Sequence, residues 1–203
     1  MSHLLVLKSS PTGPASVSNL LVNEIVARHR ELDPHTVVTE RNLDTKPLPH
    51  LTAVNVDGVR AQAVTDIEVE TRQVSDQLIA ELNGADTVVI GAPMHNFSVP
   101  TTLRAWFDHV LRPGVTFGYS EAGPKGLVTG KKAILALSRG GPYIEGLADH
   151  QEPYLRGLLA FIGITDVEVV RAGRTAMGPE ARAASIAEAQ TAIADLVGRR
   201  LAA

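Results

Sequence analysis

The stretch TVVIGAPMHNFSVPTTLRAWFDHVL, residues 87–111, joins a short apolar run to a segment with helical spacing of apolar residues. The run at 87–90 has no polar alternation, which is typical of a strand covered on both faces of a parallel sheet. The connection after it, residues 91–100, contains two prolines, an amide, an imidazole, a thioether and an aromatic ring. A loop that only connects a strand to a helix needs none of these groups, so we expect this loop to bind a flat, amphipathic ligand.

The same alternation of strand and helix runs along the whole chain. Five runs of strand length are rich in β-branched or aliphatic residues, at 3–7, 36–39, 87–90, 133–137 and 167–170. Between and after them, apolar residues recur every three or four positions, at 21–32, 74–82, 103–111, 155–162 and 186–197. Five such alternations predict an α/β domain with a parallel sheet and right-handed crossovers.

Length and composition limit the class of protein. The 203 residues suit one α/β domain spanning residues 1–203, and the net charge of -3 argues against a nucleic-acid partner. With no cysteine, disulfides and thiolate chemistry are excluded. No apolar run is long enough for a signal peptide or a membrane span. We therefore expect a cytoplasmic protein without a membrane partner.

Two stretches interrupt the regular pattern. Residues 42–66 contain Pro47, Pro49 and Gly58 and few apolar residues, which favours a long loop with room for one short helix. Residues 113–130 contain five glycines and two prolines around VTFGY at 115–119, which also favours a loop. Loops of this length in a compact domain are usually lids or binding loops.

Ligands of an open parallel sheet bind beyond the carboxyl ends of its strands, where the strand order reverses. The first strand is followed there by KSSPTGPASVSN, residues 8–19, in which five hydroxyl side chains precede a helix expected at 20–32. Hydroxyls beside a helix N-terminus can hold a phosphate without a formal charge. The alternative is that Ser16 or Ser18 is simply the N-cap of that helix.

The loops after the third and fourth strands offer partners for a flat ring. Met94 and Phe97 can lie against such a ring, and Asn96 has both a donor and an acceptor for its edge. SRGG at 138–141 can bring bare backbone N–H groups close, because glycine has no side chain. The alternative is that Met94 and Phe97 fill the core and that the two glycines form a plain turn.

Several motifs of phosphate and nucleophile chemistry are missing. Residues 126–132 come close to a P-loop, but they have the wrong glycine spacing and precede a strand, so we interpret them as a surface turn. No GxGxxG follows the first strand and no GxSxG occurs. The seven histidines have no metal-ligand spacing, so no metal site is predicted. A phosphate pocket without hydrolytic machinery indicates a bound, phosphate-bearing cofactor.

On these residues the sequence resembles the FMN-dependent NADH:azo/quinone oxidoreductases, the bacterial azoreductases of the flavodoxin-like superfamily. The resemblance covers nearly the whole chain and is carried by these segments: LVLKSS at 5–10, the S-x-S of Ser16 and Ser18, ELNGADTVVIGAPMHNF at 81–97, GVTFGYSEAGPKGLVTGKKA at 114–133, SRGG at 138–141 and FIGITDVE at 161–168. It implies a flavodoxin-like three-layer α/β fold, with a five-stranded parallel sheet in the order 2-1-3-4-5 and helices on both faces.

The resemblance also assigns roles to residues. Non-covalent FMN is held at its phosphate by Ser10, Ser16, Val17 and Ser18, at its isoalloxazine by Met94, His95, Asn96 and Phe97, and at its far edge by Ser138, Arg139, Gly140 and Gly141. Phe97, Tyr119 and Phe161 line the substrate pocket of a homodimer whose active site lies at the subunit interface. NADH or NADPH reduces the flavin, and a quinone or azo compound reoxidises it in a ping-pong cycle. Flavin N5 carries the hydride, so no side chain is assigned as catalytic.

Two positions depart from the family pattern, and three other functions stay open. His95 replaces a common tyrosine and Gly118 a common arginine; because histidine can change its charge near neutral pH, we expect His95 to make activity more pH-dependent. Arg60 and Arg72 are the candidates for meeting the 2′-phosphate of NADPH. The alternatives are an electron-carrier flavodoxin, a flavin-binding regulatory or scaffold protein, and a cofactor-free α/β hydrolase.

Overall fold

A single parallel sheet forms the centre of the computed structural model, which describes residues 2–121, 123–144 and 149–201, the last three without their side chains. Its five strands are β1 (His3–Lys8), β2 (Val37–Asn42), β3 (Thr87–Pro93), β6 (Lys132–Ser138) and β7 (Asp166–Ala172). They lie in the order β2-β1-β3-β6-β7, and every neighbouring pair is parallel. All five predicted strands are confirmed, and each ends later than the sequence pattern indicated.

Counted among themselves, these strands have the predicted arrangement 2-1-3-4-5. The numbering along the chain differs because two further strands, β4 (Phe117–Ser120) and β5 (Gly123–Gly126), form a separate antiparallel pair before β6. The order reverses between β1 and β3, since the chain runs from β1 outward to β2 and then returns to the other side of β1. This reversal is the position where open α/β sheets bind ligands.

Helices cover both faces of the sheet. They are α1 (Val17–Leu32), α2 (Asp57–Arg60), α3 (Asp66–Gly84), α4 (Thr101–Val110), α5 (Gln151–Ile162) and α6 (Pro179–Leu201). Leu5 and Leu7 of β1 face a core that contains the buried residues of α3, α4 and α5, whereas Leu4 and Val6 face a core with α1 and α6. Successive strand residues point to opposite faces, so the continuous apolar runs fill two cores.

The hairpin of β4 and β5 corrects the expectation of an irregular loop at 113–130. A Cβ atom added at Gly126 would lie 2.2 Å from the backbone nitrogen of Gly163, so β5 packs directly on the end of α5. The interpretation of 126–132 as a surface turn is also wrong in part. Val128 is buried, and its N–H donates to the carbonyl of Ile162 at 2.8 Å.

The stretch at 42–66 contains the short helix that the sequence allowed, α2. The guanidinium of Arg72 donates to the carbonyls of Gly58 and Ala61, and that of Arg60 donates to the carbonyl of Leu111 at 2.6 Å. Both candidate contacts for a 2′-phosphate are therefore bonded to backbone and hold this loop in place. Neither lines the cleft described below.

Among the described residues, no helix is both long enough and apolar enough to cross a lipid bilayer.

Candidate cofactor site

Four strand-end segments meet around a cleft of about 250 Å³ at the carboxyl edge of the sheet. They follow β1, β3, β6 and β7, so the sheet itself brings together residues that are far apart in sequence. The lining residues are Ser10, Thr12, Ala15, Ser16, Val17, Pro93, Met94, His95, Ser138, Arg139, Gly140, Thr175 and Arg182. Eight of the predicted cofactor residues are in this set: Ser10, Ser16, Val17, Met94, His95, Ser138, Arg139 and Gly140.

Hydroxyl groups and unpaired amides form the β1 end of this cleft. Helix α1 begins at Val17 rather than at the predicted residue 20, and Ser16 is its N-cap, with Oγ accepting from the N–H of Asn19 at 3.1 Å. The amides of Val17 and Ser18 precede the first intrahelical bond, from Leu20 N to the Ser16 carbonyl, and are free to meet an anion.

The other hydroxyls of this segment have distinct roles. Ser10 Oγ and Thr12 Oγ1 share a hydrogen bond of 3.0 Å at the cleft. Ser18 is fully buried and its Oγ lies 3.1 Å from that of Ser16, so it sits behind the cleft rather than in its lining. Ser9 Oγ donates to the carbonyl of Gly91 at 2.7 Å and ties β1 to β3. The N-cap interpretation of Ser16 is thus right, and the buried, pre-formed hydroxyl cluster exceeds what one cap requires.

A tight turn carries the loop after β3 past the cleft. His95 and Ser98 exchange two backbone hydrogen bonds of 2.9 Å, and the two residues between them have positive φ angles, 46° at Asn96 and 67° at Phe97. This is the pattern of a type I′ turn, in which asparagine followed by glycine is the preferred pair. Phenylalanine at the second position is strained, and such strain is characteristic of ligand-binding loops.

A second cleft, of about 340 Å³, adjoins the first and shares Met94, Arg139 and Gly140 with it. Its other lining residues are Asn96, Phe97, Gly141 and Pro142. Phe97 is 60% exposed and Met94 is only partly buried, so the alternative that they fill the core is wrong. The joint cleft is polar at its β1 end and flanked by an aromatic ring, a thioether and two glycines at the other.

Gly140 and Gly141 differ in how closely the rest of the protein packs around them. A Cβ at Gly140 would lie 3.1 Å from Cβ of Ala176, so the protein's own packing is tight there. A Cβ at Gly141 would meet no atom of the described residues within 4 Å, and its φ is not in the positive region. Gly141 therefore leaves open space in the cleft, in which a ligand can approach the backbone closely.

Backbone bonds fix the 138–141 segment in place. The N–H of Met94 donates to the carbonyl of Ser138 at 2.7 Å, and Thr175 donates through both N–H and Oγ1 to the carbonyl of Arg139 at 3.2 and 3.0 Å. Ala176 N–H donates to the carbonyl of Gly140 at 3.2 Å. With its carbonyls bonded, the glycine segment keeps one conformation beside the cleft.

The guanidinium of Arg139 is buried among partners of its own. It lies 3.8 Å from the ring centroid of Tyr143, donates to the carbonyl of Pro142 at 2.5 Å and is 3.6 Å from the carboxylate of Asp149. Burial is the main cause that raises the pKa of Tyr143 to about 12. Tyr143 is therefore neutral at working pH, and Asp149 offsets much of the positive charge of Arg139.

Two predicted pocket residues lie outside both clefts of this chain. Tyr119 on β4 is 76% exposed, and its ring packs edge-on against Phe117 with 5.8 Å between the ring centroids. The ring of Phe161 in α5 also packs against Phe117, with 4.6 Å between the centroids. Within one chain, the structure does not bring Tyr119 and Phe161 to Phe97.

Sequence reasoning missed the contribution that follows β7. Thr175 and Arg182 line the cleft, and neither is among the residues that the sequence pattern predicts for it. The sequence RAGRTAMG at 171–178 carries the same signal as the other three loops, two glycines and a hydroxyl directly after an apolar strand. Ala15 and Pro93 complete the lining and have no side-chain group that a motif search would detect.

Together, the phosphate-sized end, the ring-sized end and the open glycine define a flavodoxin-like protein with a site for a phosphate-bearing flat cofactor, and FMN has that chemistry. Residues 2–197 match the family model described as Flavodoxin-like fold. The azoreductase from Bacillus anthracis str. Sterne superimposes with a TM-score of 0.88 at 27% identity, covering 98% of this chain and all of that one.

Two curated relatives have names that state both a cofactor and an activity. A Hyphomonas neptunium protein named FMN-dependent NADH:quinone oxidoreductase is 55% identical over 197 residues, 96% of this chain and 95% of its own length. A Photobacterium profundum protein named FMN-dependent NADH:quinone oxidoreductase 1 is 46% identical, over 95% of this chain and 98% of its own. The chain belongs to the flavodoxin-like fold family and, within it, to the FMN-dependent NADH:quinone oxidoreductases.

Proposed function

We propose that this protein is an FMN-dependent NAD(P)H oxidoreductase that reduces quinones and azo compounds by two-electron, ping-pong transfer. The observation that carries the proposal is the joint cleft, whose hydroxyl-lined end suits a phosphate and whose other end, with open space at Gly141, suits a flat ring. Near-full-length identity of 55% to a protein named for this activity supports it.

The chain's own residues supply binding and orientation, and bound FMN supplies the two-electron chemistry. Ser10, Ser16 and the amides of Val17 and Ser18 hold the phosphate. Ser18 acts mainly through its amide and through its bond to Ser16, because its side chain is buried behind the cleft.

The ring end is held by the turn at 95–98 and the segment at 138–141. Met94 and Phe97 bound the ring faces, and His95 and Asn96 contribute through the turn. The backbone N–H groups near Gly140 and Gly141 favour negative charge at the ring edge they meet. Substrates would occupy the open side next to Phe97, where contacts with the apolar walls would orient NAD(P)H or the acceptor beside the cofactor.

We also propose that the active protein is a homodimer in which a second copy covers this open side. The supporting observation is that Tyr119 is 76% exposed on a hairpin whose β5 strand is packed rigidly on α5. In this arrangement Tyr119 and Phe161 complete the substrate pocket across the interface. Sedimentation equilibrium of the FMN-loaded protein gives the mass; a monomer at micromolar concentration contradicts the dimer but not FMN binding.

The test of function is a visible spectrum of the purified protein, recorded before and after additions to one cuvette. We expect a flavin spectrum that bleaches with NADH or NADPH under nitrogen and returns when a quinone or an azo dye is added. The nicotinamide that bleaches it faster is the preferred donor.

Two other results each contradict a part of the proposal. A flavin that binds but stays oxidised with both nicotinamides indicates an electron carrier or a flavin-binding regulatory protein. A protein that takes up no flavin, even after incubation with FMN, contradicts the site assignment.

A further inference from the structure

Arg182 reaches the phosphate end of the cleft from the far end of the chain. It lies in the first turn of α6, is half-buried, and its Nη2 donates to the carbonyl of Ala15 at 2.9 Å. Ala15 directly precedes the N-cap Ser16, so the guanidinium is fixed next to the hydroxyl cluster. We propose that Arg182 is the cation that pairs with the cofactor phosphate and makes the site select a phosphorylated flavin over riboflavin. This inference rests on the proposed function, in which FMN occupies the cleft.

The charge of Arg182 is not offset by the protein. Within the described part of the chain, the lining of the cleft contains two arginines and no aspartate or glutamate. Arg139 has Asp149 as a partner, but no carboxylate of the described residues lies within ion-pair distance of Arg182. A half-buried cation without a counter-ion is costly, and a phosphate dianion removes that cost.

The position of Arg182 in its helix supports the same conclusion. A cation in the first turn of a helix is unfavourable, because that end of the macrodipole is already positive. Here the first turn of α6 and the first turn of α1 both border the cleft, since Arg182 and Val17 line it. An anion beside Arg182 and the free amides that begin α1 offsets this unfavourable charge, as Glu180 in the same turn of α6 does in part.

The bond to Ala15 also allows a purely structural role, in which Arg182 only secures α6 to the loop before α1. The two roles predict different selectivity. A structural role affects every ligand that needs the loop, whereas a charge that meets the phosphate affects FMN and leaves riboflavin, which has no phosphate, nearly unchanged.

The experiment is a fluorescence titration of flavin-free protein with FMN and, separately, with riboflavin. The variants are Arg182→Gln, Arg182→Lys and the control Arg30→Gln, which removes the same charge from the exposed last turn of α1, about 20 Å from its N-terminus. We expect Arg182→Gln to weaken FMN binding by about 10- to 100-fold, the range for a lost hydrogen bond to a charged group. Riboflavin binding changes by less than about 3-fold, and Arg182→Lys is intermediate for FMN.

Ionic strength supplies a second readout. Added salt screens an ion pair at a half-buried, partly solvated group, so the Kd of the unchanged protein for FMN rises with salt more steeply than that of Arg182→Gln. Arg30→Gln keeps the affinity and salt dependence of the unchanged protein, because it lies more than a Debye length away.

Three outcomes overturn the inference. They are an unchanged Kd for FMN in Arg182→Gln, an equal loss of FMN and riboflavin affinity, and an Arg182→Lys variant as weak as Arg182→Gln. Failure of the unchanged protein to bind FMN contradicts the proposed function instead, so the two failures are distinguishable.

Discussion

The two edges of the central sheet use polar groups in different ways. At the amino edge these groups bind one another: Lys131 Nζ donates to the carbonyls of Asn83 and Ala85 at 2.8 and 2.6 Å, and Asp86 accepts from the N–H of His3 at 2.9 Å. At the carboxyl edge, the amides of Val17 and Ser18 precede the first intrahelical bond and have no helical acceptor.

Backbone strain is distributed in the same uneven way. The non-glycine residues with positive φ among the described residues are Asn96, Phe97 and Arg174, and all three are in loops at the carboxyl edge. At the amino edge, the left-handed position that ends α5 is occupied by Gly163, which adopts it without strain. Gly13 and Gly178 adopt positive φ at the carboxyl edge as well, so the difference lies in the non-glycine residues. The comparison teaches that a ligand edge shows unused donors and strained non-glycine residues, whereas a structural edge shows bonded pairs.

The largest effect expected from this contrast comes from filling the open space at Gly141. Gly141→Leu projects a side chain into the ring end of the cleft and meets no protein atom at Cβ, so FMN affinity falls by about 100-fold or more, near 2.8 kcal/mol. The free energy of unfolding of the flavin-free protein changes by less than about 1 kcal/mol. Isothermal titration with FMN and urea unfolding measure the two quantities.

The matched control is Gly157→Leu, at a helical glycine of α5 that also has open space around Cβ. It should leave the affinity for FMN unchanged. Equal FMN binding by Gly141→Leu and the unchanged protein would show that the cofactor does not approach this backbone.

The next effect compares two helix caps. Ser16→Ala removes the acceptor for Asn19 N–H, and Thr65→Ala removes the acceptor for Glu68 N–H in the capping box of α3. Each is expected to lower the free energy of unfolding by about 1 kcal/mol. Ser16→Ala also weakens FMN binding, by about 10-fold, because the hydroxyl of Ser16 lines the cleft and the hydroxyl of Thr65 does not.

Urea unfolding of both flavin-free variants and titration with FMN check this pair. Similar losses of FMN affinity in Ser16→Ala and Thr65→Ala would mean that the affinity follows general stability rather than the hydroxyl at the cleft.

Strain at Phe97 predicts a smaller effect, in which removing the side chain raises the free energy of unfolding but impairs the use of quinone. Phe97→Gly gives the turn the preferred Asn-Gly pair and relieves the positive φ, so we expect the flavin-free protein to gain about 1 kcal/mol in unfolding free energy. Little burial is lost, because the ring is 60% exposed. The apparent KM for quinone rises, since the aromatic wall of the substrate side is gone.

Asn96→Gly is the comparison for that variant, because asparagine already tolerates the left-handed region and gains little stability on replacement. The melting temperatures of both variants test whether Phe97 is strained. A Phe97→Gly protein that melts at a lower temperature than Asn96→Gly would contradict the assignment of strain to Phe97.

Sequence reasoning succeeded where local pattern and tertiary structure agree. The runs rich in β-branched or aliphatic residues located all five strands, three of them without polar alternation, and the hydroxyl-rich and glycine-rich strand ends located most of the cleft. The hairpin of β4 and β5 was missed because Gly126 is explained only by its approach to Gly163, a contact between distant segments. Arg182 was missed for the same reason, since it joins the cleft through a bond to Ala15 across 167 residues.

The turn at the site was missed because its residues disagree with the turn. Phe97 occupies a position where glycine is preferred, so residue preference alone argues against a type I′ turn there. Local preference fails at the strained residue, which is where a functional constraint is expected.

The smallest effect is expected at Asp33, at the amino edge, where a substitution changes stability slightly and leaves FMN affinity unchanged. The carboxylate of Asp33 accepts from the N–H of Ser2 at 3.2 Å and of His35 at 3.0 Å, and these bonds, Ser2 first, hold the pKa of Asp33 below its ordinary value. A lowered pKa in the folded state means that the stabilisation is complete above the ordinary carboxyl pKa, about 3.9, and is lost as pH falls through the folded value.

Asp33→Asn removes this contribution, so its urea midpoint at pH 7 lies slightly below that of the unchanged protein, and the two midpoints converge as the pH falls through the lowered pKa of Asp33 in the folded protein. Affinity for FMN is the same in both, because Asp33 follows α1 at the edge opposite the cleft. A midpoint difference that persists after the Asp33 carboxylate has been fully protonated would mean that its charge is not the source of the stabilisation. A loss of FMN affinity would mean that the two edges are coupled, and the division between a structural edge and a ligand edge would then have to be abandoned.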